Sequence, residues 1–103
     1  MISDKLKMIF SQEDISRLDI TESTLGYIKI TADVHGMRCY EARRFINNII
    51  CITNTDCQLI IIHGYNHGTA IKEMLSQNFI NKHIYQRFPD SRNQGITHML
   101  LAA

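Results

Sequence analysis

The sequence predicts one α/β domain over residues 26–103, with its elements in the order β-α-β-α-β-β. The hydrophobic period changes from two residues over residues 27–34 to about 3.6 residues over residues 38–52. An apolar run at residues 59–62, followed by an amphipathic stretch from Gly68, repeats that strand-then-helix order. The length of 103 residues suffices for one hydrophobic core and is too short for two.

The first predicted strand covers residues 27–34, and Gly36 then breaks the alternating pattern. Its apolar side chains alternate with polar ones, so they share one face of the sheet; they are Ile28, Ile30 and Ala32. The helix that follows, residues 38–52, has an apolar stripe facing the core and a polar side facing solvent. The stripe consists of Ala42, Phe45, Ile46, Ile49 and Ile50.

The second predicted strand, residues 59–62, is continuously apolar, which suits a central strand covered on both faces or nearly so. Thr69 is the expected N-cap of the second helix, whose apolar stripe is Ile71, Met74, Leu75 and Phe79. Residues 83–88 and 96–101 form two further predicted strands around a turn-rich loop, residues 89–95. A strand–helix–strand unit crosses over right-handed, so the first two strands should be parallel.

Residues 1–25 show no clean period. A short helix is predicted within residues 11–18, with Ser11 as its N-cap and Asp14 in its first turn. We interpret this segment as an appendage that docks on the domain or helps it pair with another chain, and the oligomeric state stays open.

Composition narrows the function classes. The 11 basic and 10 acidic residues give a net charge of +1, so the whole-chain basic footprint of many nucleic-acid-binding proteins is missing. Cys39, Cys51 and Cys57 contain no CxxC pair, which favours reduced thiols that act as small apolar side chains. No apolar run approaches about 20 residues, and the first residues lack a signal-peptide pattern, so a cytoplasmic, non-membrane protein is expected.

The first turn carries Asp33 and His35 at the end of a strand. Residues two apart in a strand point to the same side, so the carboxylate can orient the imidazole and raise its basicity. Such a pair suits general acid–base catalysis. The alternative is that Asp33 caps the turn and His35 satisfies backbone groups.

The second turn is His63-Gly64-Tyr65-Asn66-His67-Gly68, followed by Thr69. Gly64 and Gly68 permit positive φ and close approach of a ligand to the backbone, and Asn66 tolerates a left-handed conformation. The N–H groups at a helix start attract anions, so phosphate is the expected guest. The alternative is a tight turn whose glycines serve geometry alone.

Together the two turns collect the components of a phosphodiester-cleaving centre: a base, an orienting carboxylate and an anion site. Asp33 and the three turn histidines also include ligand types for zinc, magnesium or manganese. A metal site is the weaker interpretation, because the spacing of His63 and His67 falls in a turn. Tyr65 is expected to stack on a base. Arg38 and Arg92, in predicted loops, are the basic residues best placed for backbone contacts.

These turns resemble those of the Smr (small MutS-related) domain family, which pairs an aspartate-x-histidine-glycine turn with a glycine-rich HGxGxG turn. The resemblance covers residues 27–101 and includes Met37, Glu41 and Ala42 at the start of the first helix. It implies a two-layer α/β sandwich with a mixed four-stranded sheet, like the C-terminal domain of translation initiation factor three. It also implies nucleic-acid binding and, in several members, endonuclease activity on DNA or RNA, including messenger RNA on stalled ribosomes.

By the resemblance, Asp33 and His35 take the catalytic role, and His63, Gly64 and Gly68 belong to the substrate-binding turn. The family's lysine and glycine after the first His-Gly are Tyr65 and Asn66 here, which removes a point charge aimed at phosphate. The full set expected to bind nucleic acid is Gly36, Arg38, His63, Gly64, Tyr65, Asn66, His67, Gly68, Thr69 and Arg92.

Three functions follow from these observations. The leading one is an endonuclease acting on DNA or RNA, with or without a divalent metal such as magnesium or manganese. The second is a non-catalytic module that binds nucleic acid or a ribosomal surface, which Tyr65 in place of lysine favours. The third is a protein-interaction domain that has kept only the fold.

Overall fold

A mixed five-stranded sheet forms one layer of the protein in its computed structural model, which describes residues 2–66 and 68–103. The strands are β1 (Leu18–Glu22), β2 (Ile28–Asp33), β3 (Cys57–Ile62), β4 (Ile84–Pro89) and β5 (Ile96–Leu101). They lie in the order β1-β2-β3-β5-β4. β2 and β3 are parallel, whereas the β1–β2, β3–β5 and β5–β4 pairs are antiparallel.

The predicted count of four strands is wrong, because β1 adds a fifth at the edge. Leu18 and Ile20 pack against the core, while Asp19 and Thr21 face outward. The alternation is short and two of its five residues are acidic, which is typical of an edge strand and hides the apolar period. Gly26, at φ +87°, helps to close the turn between β1 and β2.

The helices are α1 (Ile2–Ile9), α2 (Gln12–Ile15), α3 (Cys39–Thr53) and α4 (Ala70–Glu73), the last continuing into a π-helical segment, Met74–Asn78. α3 lies within one residue of its predicted bounds, and its predicted apolar stripe is entirely buried. Its first turn is capped by Glu41, whose carboxylate accepts a hydrogen bond from the Arg38 N–H at 3.1 Å. Asn54 ends it in a left-handed conformation at φ 42°.

The second predicted helix is α-helical for only four residues before the π-helical segment begins. Its predicted apolar stripe is nevertheless buried. Thr69 occupies the N-cap position, but its side chain makes no capping bond; its hydroxyl donates to Glu73 Oε1 at 3.1 Å. The predicted N-cap position of Thr69 is therefore confirmed, but its side chain does not cap a backbone N–H group.

The core lies between one face of the sheet and the helices, which is consistent with a two-layer fold. Leu59 and Ile61 of β3 are fully buried against the helices, whereas Ile60 and Ile62 on the other face are half-buried. β3 is the central strand of the sheet as predicted, but its outer face is only half-covered, which is less than the predicted cover on both faces or nearly so. The two outward isoleucines of β3, Ile60 and Ile62, lie beside residues of the neighbouring strand β5. The register partner of Ile60 there is His98.

Residues of the N-terminal segment enter this core. Leu6 of α1 is completely buried, and the rings of Phe10 and Phe45 meet edge to face at 5.3 Å. Ser11 caps α2, which is shorter than the predicted 11–18, by accepting a hydrogen bond from the Asp14 N–H. None of the helices in the described ranges is long and apolar enough to cross a membrane.

Candidate functional site

The parallel pairing of β2 and β3 brings both His-Gly turns to one edge of the sheet. Asp33 is the register partner of Ile62, and the Val34 N–H donates to the Ile62 carbonyl at 2.9 Å. A Cβ built on Gly64 would lie 3.7 Å from the Cβ of His35. The two turns are therefore in van der Waals proximity, in the arrangement expected from the strand–helix–strand order.

Asp33 holds the ring of His35 from one side. His35 Nδ1 is hydrogen-bonded to Asp33 Oδ1, and the same oxygen accepts the His35 backbone N–H at 3.1 Å. Because an ionised carboxylate only accepts, Nδ1 carries the proton and Nε2 of the neutral ring is the basic atom. The His35 side chain is 68% exposed, so this pair has the geometry of a general base held by a carboxylate. Asp33 also caps the turn, as the alternative interpretation expected, because its Oδ1 accepts the backbone N–H of His35.

Arg17 supports the same turn from the N-terminal segment. Its carbonyl accepts the Asp33 N–H at 2.8 Å, and its Nη1 donates to the Asp33 carbonyl at 3.1 Å and to the His35 carbonyl at 3.4 Å. This half-buried guanidinium was not among the predicted site residues. Its part in the site depends on the pairing of β1 with β2, which the sequence did not reveal.

His63 lies beneath the second turn. The ring is 6% exposed, Nδ1 donates to the Gly64 carbonyl at 2.8 Å, and Nε2 accepts from the Thr97 hydroxyl at 2.8 Å. Burial lowers the pKa of His63 below its ordinary value, with Lys72 acting in the same direction and the Gly64 hydrogen bond opposing it. A neutral ring with both nitrogens engaged shapes the turn and has no nitrogen free for a ligand.

The loop between β4 and β5 packs on the second turn. The Gly95 carbonyl accepts the N–H groups of His63 and Gly64 at 2.8 and 3.0 Å. A Cβ on Gly95 would lie 3.1 Å from Gly64 Cα and 3.3 Å from Tyr65 Cδ1, so only glycine fits without displacement. The sequence linked this loop to the site only through Arg92, whereas the contacts of Gly95 with the second turn were not predicted.

A cavity of about 520 Å³ opens between the two turns. It is lined by His35, Gly36, Met37, Ile62, His63, Gly64, Tyr65, Asn66, Gly68, Ala70, Ile71, Asn93 and Gly95. The N–H groups of Tyr65 and Asn66 donate to no acceptor within the described residues. Gly64 and Gly68 have positive φ, as expected for a turn that exposes its backbone.

Six of the predicted binding residues line this cavity, together with His35 of the predicted catalytic pair: Gly36, His63, Gly64, Tyr65, Asn66 and Gly68. Arg38, Thr69 and Arg92 are not among the described residues that line it. Arg38 directly follows the lining residue Met37, and Arg92 precedes the lining residue Asn93. His67 lies outside the described residues.

The donor chemistry does not form a metal centre. Within residues 2–66 and 68–103, no group of three or more His, Cys, Asp or Glu side chains is placed to hold an ion. Asp33 and His35 are bonded to each other, and His63 has no free nitrogen. The expected magnesium or manganese thus finds no built site among these residues, and no reaction step is derived through it.

A second Asp–His pair has a structural setting. His98 Nε2 is 2.7 Å from Asp90 Oδ1, and its Nδ1 is 3.2 Å from Gln58 Nε2. The ring of Phe88 stacks on it with centroids 5.0 Å apart, and only 14% of the His98 side chain is exposed. Asp90 Oδ2 in turn accepts the N–H groups of Arg92 and Asn93, so this pair holds the loop that carries Asn93 and Gly95.

The described site therefore offers an exposed imidazole held by a carboxylate, unpaired backbone N–H groups and a neighbouring guanidinium. These groups can move a proton and bind an anion. No protein-family model, curated protein or solved structure matches the chain, so its function has to be argued from the site itself.

Proposed function

We propose that the protein is a ribonuclease that cleaves RNA by general acid–base catalysis at the Asp33–His35 pair. The observation that carries the proposal is the exposed His35 ring, whose Nδ1 is held by Asp33 at the mouth of the cavity. Nε2 then accepts a proton, and Asp33 stabilises the imidazolium that forms. The resemblance of the two turns to those of Smr domains supports the same class of reaction.

RNA is the better substrate for this chemistry because it carries its own nucleophile, the 2′-hydroxyl. His35 Nε2 removes the proton of that hydroxyl, whose oxygen attacks the adjacent phosphorus and displaces the 5′-oxygen of the next nucleotide. The products are a 2′,3′-cyclic phosphate and a 5′-hydroxyl, the latter formed when a proton returns to the leaving oxygen. DNA, the other substrate expected from the sequence, lacks this nucleophile.

The phosphate is expected to contact the second turn. The N–H groups of Tyr65 and Asn66, which have no acceptor within the described residues, can donate to a phosphate oxygen, and preorganised donors stabilise the charge that develops in the transition state. Arg17 adds a positive charge beside the first turn. Backbone donors and this guanidinium supply the anion-binding capacity for which the family uses a lysine at the position of Tyr65.

Cleavage of a structured RNA by the whole protein tests the proposal. Removal of a general base typically lowers rates by about 10²–10⁴-fold, so His35→Ala and Asp33→Asn should each lose most activity. His83→Gln, which alters a histidine bonded to the Ala102 carbonyl away from the cavity, should retain it. The rates are measured in EDTA and in magnesium, and product ends are identified by mass spectrometry. Undiminished cleavage by His35→Ala, or cleavage of a 2′-deoxy substrate at the same rate, would contradict the proposal.

A non-catalytic RNA-binding module is the second candidate, favoured by Tyr65, whose side chain is 47% exposed beside the unpaired N–H groups. An exposed aromatic ring binds single-stranded bases by stacking without any chemistry. RNA binding that weakens with salt, without cleavage in EDTA or in magnesium, would favour this function over the nuclease.

A further inference from the structure

We propose that the cavity beside His35 is a nucleobase-binding pocket that selects the nucleotide at the cleavage site. It favours uracil and guanine, which carry a carbonyl oxygen (O4 or O6) at the position where cytosine and adenine carry an amino group. The inference rests on the proposed function insofar as the selected base belongs to an RNA substrate. The binding preference itself is open to measurement without any cleavage.

The lining of the cavity suits an uncharged planar ring. Met37, Ala70 and Ile71 supply apolar surface, and no Lys, Arg, Asp or Glu is among the described lining residues. Burial keeps His63 neutral through its lowered pKa. A charged group beside Met37, Ala70 and Ile71 would lose its hydration without an ionic partner, whereas an uncharged base has no charge to desolvate; the phosphate contacts the backbone N–H groups of the second turn instead. The volume of about 520 Å³ lies within the usual range for small-ligand pockets, about 300–1,000 Å³.

Tyr65 provides an aromatic surface at this cavity. Its Cδ1 lies 3.3 Å from the Cβ position of Gly95, so the ring packs against the loop of Asn93 and Gly95. Nearly half of the side chain stays exposed, which leaves ring surface available for a ligand. Aromatic rings stack on any base, so Tyr65 is expected to contribute affinity without selectivity.

Asn93 provides the selectivity. Its Oδ1 accepts the Gly95 N–H at 2.8 Å, which fixes the orientation of the amide, and its Nδ2 donates to no acceptor within the described residues. The free end of the amide is therefore a donor only. Uracil and guanine carry carbonyl oxygens at the positions where cytosine and adenine carry amino groups, so the donor pairs with the first two.

In the first test, the whole protein is titrated with each of the four nucleoside 3′-monophosphates, and binding is monitored by backbone NMR signals. We expect the signals of Gly64, Tyr65 and Gly95 to move, with uridine and guanosine nucleotides binding about tenfold tighter than cytidine and adenosine nucleotides. Equal affinities for all four, or shifts confined to surfaces away from these residues, would overturn the inference.

Two variants sharpen the test. Asn93→Asp keeps an acceptor for the Gly95 N–H but replaces the free donor by an acceptor, so the preference should shift towards cytidine and adenosine. Tyr65→Ala should weaken all four nucleotides by about tenfold. The matched controls are Asn48→Asp on the exposed side of α3 and Tyr85→Ala on β4, where the Tyr85 side chain is 66% exposed. If Asn93→Asp kept the base preference of the unmodified protein, the assignment would be contradicted. The same holds if the control variants changed nucleotide binding as much as Asn93→Asp and Tyr65→Ala do.

Mapping of cut positions in a random-sequence RNA separates this inference from the proposed function. Cleavage with uracil or guanine enriched on one side of the cut supports both, and cleavage with no base enrichment overturns the pocket alone. Selective nucleotide binding in a protein that cleaves no RNA upholds the pocket and overturns the nuclease.

Discussion

At the scale of single residues, the two histidines that precede glycine have different environments. His35 projects from the end of β2 into solvent with Nδ1 held by Asp33, whereas His63 is buried with both ring nitrogens bonded. The sequence gives both the same local context, a strand followed by His-Gly. The difference arises because the loop carrying Gly95 and the Thr97 hydroxyl covers His63, while nothing in the described structure covers His35 to the same degree.

We expect the stability of the protein to fall as pH decreases through and below about 6.5, the ordinary pKa of histidine. The folded state lowers the pKa of His63, so the unfolded chain binds its proton more readily. The stabilisation is therefore complete above 6.5 and is lost as pH falls towards the lower pKa of the folded state. Urea unfolding midpoints between pH 8 and pH 5 measure this loss.

An NMR titration of the His63 ring is the direct control, and a pKa at or above 6.5 would contradict the prediction.

The pKa of Asp90 is also lowered, and the largest cause is its hydrogen bond to His98. Its stabilising contribution is lost only below the ordinary carboxyl pKa, whereas the loss from His63 already begins at about pH 6.5.

At the scale of elements, the π-helical segment after α4 depends on arginines from other elements. Arg87 of β4 donates from Nη1 to the carbonyls of Leu75 and Phe79 at 2.7 and 2.6 Å, and Arg43 of α3 donates to Asn78 at 2.9 Å. These bonds satisfy carbonyls at the end of the helical region that would otherwise lack partners. The segment thereby ends within the core, and its apolar residues Met74 and Leu75 are buried.

Replacement of Arg87 by methionine should lower the free energy of unfolding by about 1–3 kcal/mol, because two partly buried carbonyls lose a charged donor. Faster amide exchange should appear in residues 75–79. Arg44→Met, on the exposed side of α3, is the control and should change stability by less than about 0.5 kcal/mol. Equal midpoints for the two variants in urea would contradict this account of the segment.

Most elements from residue 27 onward were predictable, and β2 and β4 lie within one residue of their predicted bounds. α3 and β5 also lie within one residue of their predicted bounds because their apolar positions repeat over at least three turns or pleats. β1 escaped prediction because it is short, acidic and at an edge. The π-helical segment was not predicted, and the arginines of α3 and β4 that bind its carbonyls come from distant parts of the sequence, which no local pattern records.

At the scale of the whole molecule, the N-terminal segment both completes the core and supports the site. Leu6 of α1 is fully buried, β1 covers the edge of β2, and Arg17 binds the carbonyls of the first turn. An exposed edge at β2 would otherwise present unpaired N–H and C=O groups next to Asp33. The segment interpreted as an appendage thus contacts the residues to which the sequence assigns chemistry.

We expect Leu6→Ala to lower the free energy of unfolding by about 2–5 kcal/mol, since it removes a fully buried leucine side chain from the core. Met8→Ala, on the exposed side of the same helix with the side chain 86% exposed, is the matched control and should have little effect. Urea unfolding of both variants measures the difference. If Leu6→Ala were as stable as the control, the segment would be an accessory to the domain after all.

The sequence by itself determined the α/β class of the domain, the apolar stripe of α3 and the position of the two His-Gly turns, because each depends on a local period or on residue types at fixed spacing. Only the tertiary structure decided which groups complete the site. Arg17 comes from the N-terminal segment and Asn93 and Gly95 from the loop between β4 and β5, and hydrogen bonds to the two turns hold Arg17 and Gly95 at one edge of the sheet. Likewise, the exposure of His35 and the burial of His63 depend on what packs around each ring, and the local sequence around each histidine does not record that packing.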